Sequence, residues 1–128
     1  MSIARATGAL VGTSESSGVT ITNTSTATGS EVDVLGDSAS TGTLHLWLIF
    51  TSTVTAGSLD VYLLPIRASG TTYDAIYPAF TRAPVNGTRK YYLGTVPATR
   101  YMSANIVNNA TGASATNVSL LYELHRAY

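Results

Sequence analysis

The sequence predicts an all-β protein: an antiparallel β-sandwich, jelly-roll-like, with about eight strands and an extended N-terminal segment. Apolar and polar residues alternate with period two, and Gly, Pro, Asn and Ser separate the alternating runs. No stretch has the periodicity of an amphipathic helix. Short strands with regular turn signals are typical of sandwiches, and a closed barrel is the alternative. The 128 residues are enough for a single domain.

The first 42 residues differ from the rest of the chain. They are nearly all small or hydroxylated, and alternation occurs only over Gly18–Asn23 and Glu31–Leu35, which we predict as short strands. Such a segment has few apolar groups to offset the entropy cost of ordering. We therefore expect residues 1–42 to be either an arm that becomes fixed on a partner or an edge-strand segment, and residues 43–128 to form the β-sandwich body.

The body contains six further candidate strands separated by turn residues. Asn86-Gly87 is the strongest single turn signal, because both residues accept the positive φ of tight hairpins. The six candidates are Thr43–Ser52, Leu59–Ile66, Tyr73–Ala79, Lys90–Val96, Tyr101–Asn108 and Thr116–Arg126.

The strand at residues 43–52 and the one after it are apolar on both faces. The leucines of the first strand occupy one face, which we predict to be core, while Trp47 and Ile49 occupy the other. Tyr62 and Leu64 form the corresponding second face of the next strand. Exposed aromatic patches usually mark contact surfaces, so we predict that Trp47, Ile49, Tyr62 and Leu64 mediate self-association. The alternative is that a loop or the N-terminal segment of the same chain covers them.

Charge and composition favour a protein that works in an assembly. Seven basic and seven acidic residues give a formal net charge of zero, so the chain lacks the repulsion that keeps monomers apart. Four basic residues lie among tyrosines, a combination suited to protein or nucleic-acid contacts; they are Arg82, Arg89, Lys90 and Arg100. We favour protein contacts and expect no specific nucleic-acid partner, because a neutral chain has no field that attracts phosphates.

The sequence also limits the compartment. No apolar run approaches the roughly 18 residues of a membrane span, so we expect no membrane partner. The start of the chain lacks the apolar core of a signal peptide, and we expect synthesis in a host cytoplasm without a cleaved leader.

No residue pattern predicts catalysis. His45 and His125 lie in strand patterns without a nucleophile or carboxylate at motif spacing, and we interpret them as two isolated structural groups. Glu31, Asp33 and Asp37 offer too few oxygen ligands for a cation, and we interpret them as a solvated strand end. The sequence has no nucleophile-elbow, phosphate-loop or zinc-binding motif. We predict a protein that is not an enzyme and has no metal and no cofactor.

Four stretches that follow one another after Gly29 carry a resemblance to a known family. They read "GSEVDVLGDSASTGTLHLWLIFTS", "GSLDVYLLP", "YDAIYP" and "GTVPATRYMSANIVNNATGASATNVSLLYEL". Together they resemble small virion structural proteins of tailed bacteriophages, of the kind that includes capsid decoration, or cement, proteins. The resemblance implies a compact β-sandwich that forms a homo-oligomer, often a trimer, on the capsid exterior. Its partner there would be the major capsid protein, and there are no catalytic residues to transfer.

Decoration of this kind would act through binding free energy. A protein that binds only the closed shell stabilises it by mass action, and many weak contacts act together through multivalency. The N-terminal segment has few large side chains, and on that basis we expect it to anchor the protein to the shell through Ile3, Arg5, Leu10 and Val11.

A phage fibre, knob or tail module that binds host-surface carbohydrate is the alternative function. In that case Tyr73, Tyr77, Tyr91 and Tyr92 would stack on sugar rings and Asp74 would bind hydroxyls. The competing interpretation is that these tyrosines line the rim of the sandwich, with the ring packed and the hydroxyl in water. Binding to host glycans or to purified shells would discriminate between the two functions.

Overall fold

The computed structural model describes residues 3–14, 17–22, 24–35, 42–52, 59–66, 80–82, 87–98, 100–109 and 114–127. These residues form ten strands in two antiparallel sheets. The strands are β1 (Ile3–Val11), β2 (Val19–Ile21), β3 (Thr26–Thr28), β4 (Val32–Asp33), β5 (Thr43–Ser52), β6 (Leu59–Ile66), β7 (Phe80–Arg82), β8 (Gly87–Pro97), β9 (Tyr101–Asn108) and β10 (Ala115–Ala127).

The strand order confirms the predicted fold class. The first sheet has the order β1-β10-β5-β8, and β2 also pairs with β10. The second sheet has the order β3-β9-β6-β7, and β4 also pairs with β9. We count β1 and β2 as one interrupted strand, and β3 and β4 as another. In each sheet, strands from the first half of the chain then alternate with strands from the second half. That alternation is the double Greek key of a jelly roll.

The core lies between the two sheets and is built by strict alternation. On β5 every second residue from Leu44 to Phe50 is fully buried, and on β6 the same holds from Leu59 to Leu63. Burying one such side chain contributes about 1.5–3 kcal/mol. The other large, fully buried side chains of the core are Leu10, Ile21, Met102, Ile106, Leu120 and Leu124.

The N-terminal strand β1 runs along the edge of the first sheet. It pairs with β10 from Ile3, opposite Ala127, to Val11, opposite Leu120. A register shift after Ala9 inserts one extra residue, so that Leu10 and Val11 are both buried. A strand of this length was not expected from the sequence, because alanine, threonine and glycine give little β signal.

Three body strands have the bounds that the sequence predicts: β5, β6 and β9. Strand β8 begins three residues earlier than expected, at Gly87, and β2 and β4 are shorter than their predicted runs. The strand expected over Tyr73–Ala79 lies outside the described residues. Within the described ranges no helix is long and apolar enough to cross a membrane.

Candidate functional site on the outer face of the first sheet

The outer face of the first sheet is the side of β1, β10, β5 and β8 that points away from the core. In its middle, Trp47 of β5 pairs with Leu121 of β10 on one side and with Tyr92 of β8 on the other. One step along, His45 pairs with Glu123. Because cross-strand neighbours on one face are in contact, these side chains form a continuous surface.

Four rings on this face form a cluster, which we call the ring cluster: His45, Trp47, Tyr92 and His125. The imidazoles of His45 and His125 are 4.3 Å apart between centroids, and Trp47 and Tyr92 are 5.3 Å apart. His45 Nδ1 lies 2.8 Å from the Tyr92 hydroxyl oxygen. The interpretation of the histidines as two isolated groups is therefore wrong. The sequence did not indicate the contact, because it depends on pairing between strands about 80 residues apart.

A carboxylate adjoins the ring cluster. His125 Nε2 forms a hydrogen bond with Glu123 Oε1, two residues earlier on the same face of β10. Among the described residues, no group of three or more His, Asp or Glu side chains is arranged to hold a metal ion.

Beside the ring cluster the outer face is hollowed into a cavity of about 360 Å³, which we call the Trp47 groove. It extends from β8 across β5 and β10 to β1. The residues that line it are Thr7, Gly8, Thr13, Ser14, Trp47, Lys90, Leu121, Tyr122 and Glu123.

One wall of the groove is a turn that interrupts the edge strand between β1 and β2. The turn begins at Gly12, whose φ of +72° favours glycine. A Cβ there would also lie 2.3 Å from Ser119 Oγ. The Thr13 N–H donates to the Ser17 carbonyl at 2.8 Å, and the buried Ser119 hydroxyl donates to the Ser14 carbonyl at 2.9 Å. The turn is thus fastened onto β10 at the outer face.

Part of the apolar second face is buried within the chain. Ile49 lies on the second face of β5, yet it is only 3% exposed. Its register partner is Ser119, whose hydroxyl binds the turn between β1 and β2. Trp47 remains partly exposed and Tyr92 is 48% exposed. Two aromatic side chains are therefore accessible on this face, and Ile49 is not.

The four residues predicted to mediate self-association do not form one surface. Trp47 and Ile49 belong to the first sheet, whereas Tyr62 and Leu64 belong to β6 in the second sheet. Tyr62 is partly exposed and alternates with the buried Val61 and Leu63, so it lies on the outer face of the second sheet. Trp47 and Tyr62 therefore lie on opposite sides of the sandwich.

The residues predicted to anchor a shell also separate into two groups. Ile3 and Arg5 lie at the start of β1, where Arg5 is the register partner of His125. Leu10 and Val11 are 2% and 4% exposed. Their burial follows from the register shift in β1, and it removes both side chains from the surface of the single chain.

Two of the residues considered for a sugar site on a sandwich rim are described, and they differ in their surroundings. Tyr91 is half-buried, stacks on Phe50 at 5.7 Å and packs against the core. Tyr92 is the exposed member of the ring cluster. The other three candidates, Tyr73, Asp74 and Tyr77, lie outside the described residues.

One basic and one acidic candidate form an ion pair at the end of the second sheet. Arg100 Nη2 lies 3.6 Å from Asp33 Oδ2, and the guanidinium lies 5.0 Å from the centre of the Tyr101 ring. Asp33 is exposed at the end of β4, in agreement with a solvated strand end, and Asp37 lies outside the described residues.

Tyr122 borders the groove but belongs to the hydrophobic core. It is 9% exposed, and burial raises the pKa of its hydroxyl above the ordinary value of 10.0. Gly8 makes room for this ring, because a Cβ at Gly8 would lie 2.6 Å from the Tyr122 hydroxyl oxygen.

Comparison with solved structures shows the same fold in virus particles. A chain in the structure of infectious bursal disease virus strain Gx aligns with 97% of this chain, at a TM-score of 0.63 and 14% identity. A chain of strain Gt gives a TM-score of 0.62, also at 14% identity over 97% of this chain. The present chain spans about a third of those chains, 32% and 31%. No protein-family model and no curated protein matches the sequence.

Proposed function

We propose that this protein is a structural virion protein that binds the outside of a phage capsid as a homo-oligomer and stabilises the shell. The observation that carries the proposal is the jelly-roll fold of this chain, whose structure is similar to that of chains of infectious bursal disease virus. Jelly rolls are common in viral capsids and also in lectins. The phage assignment and the place on the capsid exterior come from the sequence resemblance. In this role the protein acts by binding and has no catalytic activity.

Composition supports a role within an assembly. The chain has 11% charged residues and no net charge, and its polar residues are mostly threonine, serine and asparagine. Such a surface gives little electrostatic resistance to contact between copies. Binding to a closed shell would then stabilise that shell by mass action, and simultaneous contacts of several protomers would add up.

Self-association in this proposal uses the outer face of the second sheet around Tyr62. Tyrosine is among the residues most enriched at the energetic centres of interfaces. Its register partner is Asn105, whose Oδ1 is shielded from solvent and has no hydrogen-bond partner among the described residues. An unsatisfied acceptor of this kind costs about 1–3 kcal/mol. A neighbouring protomer that supplied a donor there would recover part of this cost, and Leu64 lies on the same strand.

In this proposal the start of β1 binds the shell. Ile3 and Arg5 lie there, at the edge of the first sheet. An edge strand presents unpaired backbone groups that another chain can bind. The buried Leu10 and Val11 would act indirectly, by fixing β1 to the core.

The experiment measures two properties of the protein, its binding to capsids and its oligomeric state. Purified protein is mixed with purified capsids stripped of their outer proteins and sedimented, and light scattering gives its mass alone. We expect cosedimentation with the capsids, and a mass near three times the 13.4 kDa of one chain. Tyr62→Ser should lower the mass to that of a monomer.

Tyr92→Ser is the matched control, because it removes an exposed tyrosine from the opposite side of the sandwich. It should leave the mass of the oligomer unchanged. A wild-type monomer that does not bind capsids would refute the proposed function. Loss of the oligomer in both tyrosine variants would refute the assignment of the interface to the second sheet.

A further inference from the structure

We propose that the Trp47 groove is a binding site for one neutral sugar ring, either a free hexose or the terminal residue of a glycan. This site lies outside the shell-binding role and does not depend on it. It also differs from the rim site considered from the sequence, because Trp47 was not part of that site and Tyr92 contacts Trp47 from the same face.

The dimensions of the groove suit a small ligand. Its volume of about 360 Å³ lies at the lower end of the range of roughly 300–1,000 Å³ for small-molecule sites. A protein partner would need a contact of about 800 Å² on each side. The turn fastened by Ser119 gives the cavity a wall above the sheet, so the site is a cleft in which a single ring fits.

The lining combines an aromatic wall with hydroxyl groups. Trp47 offers an apolar surface for the C–H face of a sugar, and Leu121 extends it. Thr7 and Thr13 are exposed at the rim, and Ser14 also lines the groove. Each hydroxyl both donates and accepts a hydrogen bond, as the hydroxyls of a sugar do. This combination of one aromatic surface and several hydroxyls matches the two faces of a pyranose.

The charges of the groove favour a neutral ligand. Lys90 and Glu123 are the charged residues among the lining residues, and they have opposite signs. The described lining therefore has no net charge that would select a phosphate or a carboxylate. An acidic sugar would gain little binding free energy from Lys90, since the negative charge of Glu123 lies in the same small cavity.

The ring cluster holds the aromatic wall in position. Trp47 lies 5.3 Å from Tyr92 and 6.3 Å from His45, measured between ring centroids. The hydrogen bond between His45 and Tyr92 joins the two supporting rings. A platform that is fixed before binding loses little side-chain entropy when the ligand arrives. We therefore assign His45 and Tyr92 as positioning residues for Trp47.

The test uses the fluorescence of Trp47, the single tryptophan of the chain. Purified protein is titrated with D-glucose, D-galactose, D-mannose and N-acetyl-D-glucosamine, with N-acetylneuraminic acid as the charged comparison. We expect a saturable change in emission with at least one neutral sugar, with a Kd in the millimolar range, and weaker binding of the acidic sugar. An emission that is unchanged by all four neutral sugars would overturn the proposal.

Variants locate the binding. Thr13→Val removes a rim hydroxyl and should weaken binding about fivefold, the usual effect of losing one hydrogen bond. Thr26→Val makes the same change at an exposed position of β3 in the second sheet and should leave the Kd unchanged. Equal weakening in both variants would refute the placement of the sugar. The placement would also be refuted if the Trp47 emission changed with the concentration of the protein and not with that of the sugar. In that case a second copy of the chain would occupy the groove.

These measurements need no capsids. Failure of sugar binding leaves the cosedimentation result untouched, and failure of cosedimentation leaves the sugar titration untouched. The two proposals are therefore refuted by different outcomes.

Discussion

Tyr92 reaches His45 because of a β-bulge between β5 and β8. Leu46 pairs with Gly94 and Trp47 pairs with Tyr92, so Leu93 is the extra residue. Leu93 turns into the core at 6% exposed, while Tyr92 is left on the outer face. The φ of +120° at Gly94 accommodates this irregularity. A single inserted residue therefore places the phenol beside the imidazole, and a register without the bulge would not.

Tyr92→Phe should keep the ring contacts and remove only the hydrogen bond to His45. Because the pair is exposed, we expect the free energy of unfolding to fall by less than about 1 kcal/mol. The ring proton signals of His45 in an NMR spectrum should shift clearly. Tyr91→Phe, one residue earlier but against Phe50, is the control and should leave these signals in place.

Ser119→Ala should loosen the turn that forms the wall of the groove. The lost hydroxyl is buried and donates to the Ser14 carbonyl, so we expect a loss of about 1 kcal/mol of stability. Hydrogen exchange at the Thr13 amide should accelerate. Ser103→Ala removes a similar buried bond, to the Gly29 carbonyl at 3.0 Å. It should cost a similar amount of stability, and acceleration at Thr13 in this variant too would contradict the prediction.

Asn108→Ala should be among the most destabilising polar substitutions. The side chain is fully buried in the second sheet, and its Nδ2 donates to the Ile21 carbonyl of the first sheet at 2.8 Å. Its removal leaves that carbonyl without this donor, so we expect a loss of about 1–3 kcal/mol in chemical denaturation. Asn109→Ala, at the next position, removes only an exposed hydrogen bond to Asp60 and should cost less than about 1 kcal/mol. Equal losses would show that Asn108 does not connect the sheets.

Leu48→Ala should test the core directly. Leu48 is fully buried on the central strand β5, and such truncations cost about 2–5 kcal/mol through lost burial and the remaining cavity. Leu121→Ala makes the same truncation on the partly exposed outer face and should cost less than half as much. Thermal or urea unfolding of both variants measures the difference, and the reverse order would contradict the assignment of the two faces.

Tyr122→Phe should change the response of the protein to alkaline pH. Burial raises the pKa of this hydroxyl in the folded state, so above about pH 10 the unfolded chain loses the proton more readily. Stability is therefore lost as the pH rises from the ordinary value of 10.0 towards the folded-state pKa. The phenylalanine variant should lose less stability between pH 9 and 11, measured by urea unfolding. An identical loss in both proteins would refute this account.

The fold class could be predicted from the sequence because alternation is a local signal. Strands β5, β6 and β9 were predicted with the right bounds, since each alternates large apolar residues with polar ones between clear turns. Strand β1 was missed as a regular strand because its stability depends on β10, more than 100 residues away. Its own residues carry little β propensity.

The site was predictable only in part. Trp47 was identified because a large aromatic residue on the second face of a strand is a local observation. The burial of Ile49 and the contact between the two histidines depend on how β5 and β10 pair. Neither follows from the spacing of residues along the chain. Alternation alone also could not show that Trp47 and Tyr62 lie on opposite sides of the sandwich.

The pairing of β1 with β10 has a mechanical consequence. Ile3 and Ala127 are register partners at the same end of an antiparallel ladder. Force applied by pulling these two residues apart would open that ladder like a zipper, one pair at a time, instead of shearing all its hydrogen bonds together. The edge strand would therefore detach at low tension, while β5, held between β10 and β8, would keep the rest of the first sheet folded.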